Sequence, residues 1–196
     1  RAMPDFLRVD MALAYATAPM TAMPLAARPG NATSRAMYDF RPAADAPKRA
    51  IHAQLLEAAA AITEGERDAV ANMANVAALL GDFLPDCNWT GFYRMVEGEL
   101  VLGPFVGRPA CIRIPLGRGV CGTAAQTATT QLVEDVHAFP GHIACDAASR
   151  SELVVPVIRD GTVIAVIDLD SPSPARFDAE DAGGIEALAA LLANRI

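Results

Sequence analysis

From Pro47 onward, apolar residues recur at helical spacing. "RAIHAQLLEAAAAI" predicts a first helix. Thr63, with Glu66 three residues later, predicts a capping box opening a second helix through "RDAVANMANVAALLGDFL", which closes near Gly81 and Pro85. The period then shortens to that of strands. "NWTGFYRMV" and "ELVLGPF" read as a hairpin turning at Glu97-Gly98, and "ACIRIPL" as another short strand. "GRGVCGTAAQTA" is a glycine-rich loop opening a short helix, and "TQLVEDV" returns to strand. Residues 137–151 read as a long loop punctuated by Pro140 and Gly141. "ELVVPVI" and "TVIAVIDLD" are strong strands joined through Asp160-Gly161. Asp178, with Asp181 at the third helical position, caps a last helix, "AEDAGGIEALAALLANRI", whose start Gly183 and Gly184 weaken. Helices at both ends of a run of hairpin-linked strands predict an α+β fold. Its central, mainly antiparallel sheet carries the N- and C-terminal helices on one face. The other face is left for a pocket beneath the long loops.

Residues 1–36 stand apart. "MALAYATAPMTAMPLAARPGNATSR" keeps neither period, and it is expected to be a disordered leader or upstream extension. Its basic residues suit a transit peptide, but Asp5 and Asp10 oppose that, and Pro19 and Pro24 break any signal-peptide core. Met37 is a candidate start, so residues 37–196 are expected to form a single domain.

Composition narrows the function classes. Hydrophobic residues make up 53% of the 196, enough for a full core. The net charge of -7 leaves no basic face for phosphates, which excludes nucleic acid as a partner. No apolar run is long enough to span a bilayer, so no membrane partner is expected. The four cysteines, Cys87, Cys111, Cys121 and Cys145, form no CxxC pair and are too sparse for a disulfide-stapled fold. They suit a reducing, cytoplasmic setting, where a scattered cysteine is more often an inert packing residue.

Three places could carry chemistry. In "VIDLD", strand alternation puts Asp168 and Asp170 on one face about 7 Å apart, continued by Val166 and Ile164. Either the strand has surfaced and both acids are solvated, or a carboxylate pair grips a cation or holds a proton. In "NWTGFY", Trp89, Gly91 and Tyr93 share a face. The glycine either accommodates ordinary core packing or leaves a gap for a small apolar or cationic group on an aromatic floor. In "PACIRIPLGRGVCGTAA", Cys111 falls on a strand and Cys121 at a helix start, whose backbone N–H groups could bind a carboxylate. Cys145 falls in the long loop. His137 and His142 are close to it in sequence, but no HExxH or CxxC spacing supports zinc, and no metal is expected.

Together "NWTGFY", "LVLGPFVGRPACIRIPLGRGVCGTAA", "EDVHAFPGHIACDAASRSELVVPV" and "AVIDLD" resemble the free methionine-(R)-sulfoxide reductases, which are GAF-domain enzymes. The resemblance runs over roughly 37–196 and is strongest from Asn88 to Asp170. It implies a GAF fold and an oxidoreductase. It further implies that Cys145 is the catalytic cysteine, Cys111 its disulfide partner and Cys121 an auxiliary thiol. Glu152, Asp168 and Asp170 would be the pocket acids, and Trp89 and Tyr93 the aromatic wall. Cys87 lies outside these motifs and reads as structural.

The residues suit such a substrate. Carboxylates can hold its ammonium, backbone amides around Arg118 to Thr123 its carboxylate, and Trp89 and Tyr93 its methyl and sulfur. The resemblance implies attack by Cys145 on the sulfoxide sulfur, oxygen protonation by a neutral acid (Asp170 or Glu152), and a sulfenic acid on Cys145. Cys111 then forms the disulfide, which thioredoxin or another dithiol reduces, with no bound cofactor. A homodimer is among the assemblies the resemblance allows. The rival reading is a non-catalytic GAF module that senses a small molecule or redox state. The chain shows no recognisable effector segment to go with that role.

Overall fold

The computed structural model describes residues 41–42, 46–141 and 146–196. The expected leader, and with it Met37, lies outside the described residues. Helices α1 (Lys48–Ile62) and α2 (Ala69–Phe83) lead into the hairpin β1 (Trp89–Val96) and β2 (Glu99–Val106). β3 (Arg113–Ile114), α3 (Gly119–Thr127) and β4 (Gln131–Val133) follow, then a short 3-10 turn at Val136–Ala138. The hairpin β5 (Ser151–Arg159) and β6 (Thr162–Ser171) precedes α4 (Ala179–Leu192). The six strands form one antiparallel sheet in the order β3-β2-β1-β6-β5-β4.

Both main hairpins turn through two residues of positive φ, Glu97-Gly98 (52° and 87°) and Asp160-Gly161 (50° and 75°). That pair of left-handed residues matches the twist of the flanking strands.

Alternation along the strands sorts the core into two layers. Phe92, Leu153, Val155, Ile167 and Leu169 face α1, α2 and α4 and pack with Leu55, Leu80, Phe83, Ile185 and Leu188. Trp89, Tyr93, Val154 and Val166 face the other way and pack with Val120, Cys121 and Ala124 of α3. The terminal helices thus cover one face, as the sequence predicts, and α3 covers part of the other. Ile164 departs from the expected alternation. A bulge shifts the register between Val157 and Ile158, so Ile164 packs with the helical layer instead of beneath the acids.

Two helix starts test the capping signals. At α4 the box forms: Asp178 accepts from the Glu180 and Asp181 amides, and Asp181 accepts from the Asp178 amide. At α2 it does not. Helix α1 runs to Ile62, so Thr63 ends that helix and donates its hydroxyl to the Ala59 carbonyl. Asp68 is the N-cap, accepting from the Ala71 amide at 2.9 Å. Glu66 instead accepts from the Arg67 and Asp68 amides within the connecting turn.

Asp181 also ties α4 to α1. It accepts from Lys48 Nζ at 2.5 Å and from His52 Nε2 at 3.0 Å. Arg176 Nη1 donates to it at 3.2 Å. Burial alone would raise this carboxyl, but the His52 and Lys48 hydrogen bonds outweigh it and hold the group well below the usual carboxylate range.

Candidate active site

The face opposite the long helices carries a cleft over the ends of β1, β5 and β6. Its floor is Glu152, Asp168 and Asp170, and its walls are Tyr93, Ile114, the first turn of α3, Asp146 and Ser149. A second recess adjoins it beneath Arg108, Pro109 and Ala110. That recess shares Tyr93, Asp146, Asp168 and Asp170 and adds Trp89. The acids therefore stand between an aromatic recess and a helix N-terminus.

Register places them there. Trp89 pairs with Asp170 and Gly91 with Asp168 across β1 and β6, and Glu152 pairs with Asp170 across β5 and β6. All these side chains point to one face. Asp168 and, across the sheet, Glu152 are 5% and 6% exposed, whereas Asp170 is half-buried, so β6 is covered at Asp168 and opens towards the cleft at Asp170. Cys121, in the first turn of α3, brings its Sγ to 3.9 Å from Glu152 Oε1. Asp168 Oδ1 is buried without a hydrogen-bond partner.

Such crowding favours neutral groups. Burial, then the charge of Asp168, pushes the Glu152 carboxyl well above its ordinary range. Burial, then the charge of Asp170, does the same to Asp168. Asp170 is pushed up to about 6, chiefly by burial, with a Ser149 hydrogen bond opposing and the Asp146 charge assisting. The Cys121 thiol is raised by burial and then by the Asp168 and Glu152 charges, so it stays protonated and is a poor nucleophile.

The aromatic wall differs from its sequence-level picture. Trp89 stacks on Tyr93 with ring centroids 5.9 Å apart, and on Phe105 at 5.2 Å. The space above Gly91 is filled: a Cβ there would lie 2.4 Å from Phe105 Cβ. The glycine admits a cross-strand phenylalanine, not a ligand. Trp89 Nε1 donates to the Arg108 carbonyl at 3.1 Å and so fixes the loop over the recess. Gly107 permits this approach, since its φ is 143° and a Cβ would lie 2.5 Å from the indole.

The proposed carboxylate cradle narrows. Of the amides from Arg118 to Thr123, Arg118 donates to the Pro115 carbonyl and Gly122 to that of Arg118. Helix geometry leaves the N–H groups of Gly119, Val120 and Cys121, the first turn of α3, to face the cleft.

Three contributors escaped the motif reading. Asn88 Nδ2 donates to Asp146 Oδ2 at 3.1 Å and to Ser149 Oγ at 3.2 Å, anchoring the loop beside Asp170. Asn88 is a polar residue directly before an aromatic strand, and Asp146 and Ser149 lie inside the long-loop motif. Only the folded loop brings these together.

Comparison with known proteins fits this geometry. Residues 66–196 match the GAF domain family model. The chain is 52% identical to the free methionine-R-sulfoxide reductase of Escherichia coli over 67% of its own length and 80% of that protein. The chain belongs to the free methionine-R-sulfoxide reductase family. It is also similar to the solved free methionine-R-sulfoxide reductase from Neisseria meningitidis in complex with its substrate. The identity there is 44%, covering 81% of this chain and 95% of that one, with a TM-score of 0.77. A Burkholderia vietnamiensis protein described as a GAF sensor is 57% identical, covering 76% of this chain and 96% of that one, with a TM-score of 0.74.

For this free methionine-R-sulfoxide reductase family member, the structure brings Cys121, Glu152, Asp168, Asp170, Trp89 and Tyr93 together around one cleft. Cys111 precedes β3, where the predicted strand shrinks to Arg113–Ile114. Its thiol is free and half-buried against the α3-side layer. Cys145 and His142 lie outside the described residues. Cys87 packs against the helical layer, and burial pushes its thiol up to about 12, in keeping with a structural role. No described helix is long and apolar enough to cross a membrane.

Proposed function

We propose that the protein reduces free methionine-(R)-sulfoxide to methionine in a reducing, cytoplasmic setting. Cys145 is the nucleophile, Cys111 the resolving thiol, Cys121 an auxiliary thiol, and thioredoxin or a similar dithiol the reductant. The observation that carries this reading is the set of three carboxyls, Glu152 and Asp168 buried and Asp170 half-buried, beside an α-helix N-terminus and an aromatic recess. The substrate's ammonium meets Asp170, Asp168 and Glu152. Its carboxylate meets the amides of Gly119 to Cys121. Its methyl and sulfur rest against Trp89 and Tyr93. A peptide-linked residue has neither free terminus to offer, and its flanking chain would collide with the floor.

The chemistry balances in two thiol steps. Cys145 sulfur attacks the sulfoxide sulfur while a neutral acid gives its proton to the oxygen. Of the two candidates, Glu152, raised well above its ordinary range, suits this better than Asp170, raised to about 6. The oxygen passes to Cys145, so thiol and sulfoxide become sulfenic acid and thioether, and the thiol's proton returns to the acid. Cys111 sulfur then attacks the sulfenic sulfur, a disulfide forms and water leaves. A dithiol supplies two electrons and two protons by exchange and restores both thiols.

The deciding experiment follows consumption of free methionine-(R)-sulfoxide with dithiothreitol or thioredoxin. Turnover is expected in the wild type and none in Cys145→Ser; full activity in that variant sinks the assignment. Cys111→Ser is expected to complete one turnover and to fail with thioredoxin. Binding without loss of two thiols would instead identify a sensor.

A further inference from the structure

Cys121, Glu152 and Asp168 come from three elements, α3, β5 and β6. Their Sγ and one carboxyl oxygen from each acid lie within 4.8 Å of one another. Glu152 and Asp168 are diagonal neighbours on one sheet face, because Glu152 pairs with Asp170 and Val154 with Asp168. All three residues are about 95% buried, at 5%, 6% and 5% exposure. Among the described residues no ion pair is made by either acid. Asp168 Oδ1 lacks even a hydrogen-bond partner. A buried oxygen left unpaired costs about 1–3 kcal/mol, and a cation would satisfy it.

We propose that Cys121, Glu152 and Asp168 form a zinc(II) site that inhibits the enzyme by occupying the floor of its cleft. The donor set fits the metal. One thiolate and two carboxylates suit a borderline ion such as zinc, and the thiolate disfavours magnesium or calcium. With Zn–S about 2.3 Å and Zn–O about 2.1 Å, tetrahedral geometry sets a sulfur–oxygen edge of about 3.6 Å. The Cys121–Glu152 edge is 3.9 Å, close to that value, and the remaining edges lie within 4.8 Å, so the cluster contracts around the ion. The fourth position faces the cleft and takes water.

Arg118 at the N-cap of α3, Tyr93 on β1, Asp170 on β6 and Asp146 in the loop also line the cleft over this cluster. The ion takes the place the substrate's ammonium needs, so inhibition is competitive. That clause rests on the proposed reductase activity; metal binding itself does not.

The test titrates the reduced, metal-free chain with zinc alone at about pH 7.5, read by calorimetry. Cobalt(II) gives the optical readout. The expected result is one zinc per chain and a thiolate-to-cobalt charge-transfer band. Both should persist in the Cys111→Ser/Cys145→Ser double variant. Cys121→Ser should abolish the band and weaken zinc at least about 100-fold. Glu152→Gln, which keeps the side-chain shape, carries the same test should Cys121→Ser not fold. Free methionine should raise the apparent zinc Kd. Zinc binding that survives Cys121→Ser and Glu152→Gln, or that disappears in the double variant, overturns the proposal, as does the absence of stoichiometric binding. A chain that binds zinc this way yet reduces no sulfoxide would overturn only the activity.

Discussion

The Cys121 thiol points at the Glu152 carboxyl across 3.9 Å, and the two residues are 5% and 6% exposed. Burial, then the Asp168 and Glu152 charges, raise the thiol, whereas the thiol's hydrogen bond lowers Glu152 against the larger effects of burial and Asp168. Replacing Glu152 by Gln keeps the shape and removes one of the charges that raise the thiol. The Cys121 pKa is expected to fall, though burial, its largest cause, remains. Alkylation of Cys121 by iodoacetamide, followed against pH by mass spectrometry, should be faster in Glu152→Gln than in wild type. Equal rates across the pH range would show that Glu152 does not control the thiol.

Asp168 gives a stability prediction whose sign follows from its raised pKa. An unfolded aspartate titrates near 3.9. The folded group titrates well above its ordinary value because burial and the Asp170 charge penalise ionisation. The folded state thus holds a proton that the unfolded state releases. Its contribution is fully present below about pH 4 and is lost as pH rises through the folded pKa. Asp168→Asn removes that loss. Urea midpoints should show the variant gaining on wild type as pH rises from about 4 to about 8. A gap that is flat with pH would contradict the raised pKa.

Asp181 is the opposite case. Its folded pKa is depressed, so its stabilisation is present above the unfolded value near 3.9 and is lost as pH falls through the folded one. Asp181→Asn should cost about 2 kcal/mol at neutral pH. That is less than the roughly 3–5 typical of a broken buried pair, because the Lys48 side chain is 35% exposed and can return to water. In chemical denaturation the difference should shrink as pH drops below about 4. A variant as stable as wild type at neutral pH would remove Asp181 from its role as the α1–α4 tie.

Which of these features the sequence displays depends on how local their causes are. The α4 capping box is legible because Asp178 and Asp181 satisfy each other within four residues. The shared face of Asp168 and Asp170 follows from strand period alone. The α2 start is misread because Thr63-x-x-Glu66 has the right spacing, yet Thr63 is the C-cap of α1 and a turn separates it from the true N-cap, Asp68. The gap above Gly91 is misread for a non-local reason. Phe105, its neighbour on β2, fills it, and cross-strand register is absent from a one-dimensional pattern. The Cys121–Glu152–Asp168 cluster is the extreme case, since three elements must assemble before any two of its members touch.

In the proposed reductase, Asp170 is expected to set the pH dependence of substrate binding. Its carboxyl is pushed up to about 6, chiefly by burial, while a hydrogen bond from Ser149 restrains the rise. An ammonium group binds the ionised carboxylate, so the KM for free methionine-(R)-sulfoxide should climb as pH falls below about 6, with kcat less affected. Asp170→Asn should abolish that inflection and leave KM high throughout. Ser149→Ala separates position from charge. It deletes the donor that favours the ionised form, so the inflection should move to higher pH while the acid itself remains. Asn88, which donates to Ser149 Oγ at 3.2 Å, orients that hydroxyl, so Asn88→Ala should move the inflection the same way by less. Steady-state KM measured from about pH 5 to about pH 8 decides it. An inflection that keeps its wild-type position in Ser149→Ala would show that the loop hydroxyl does not tune Asp170.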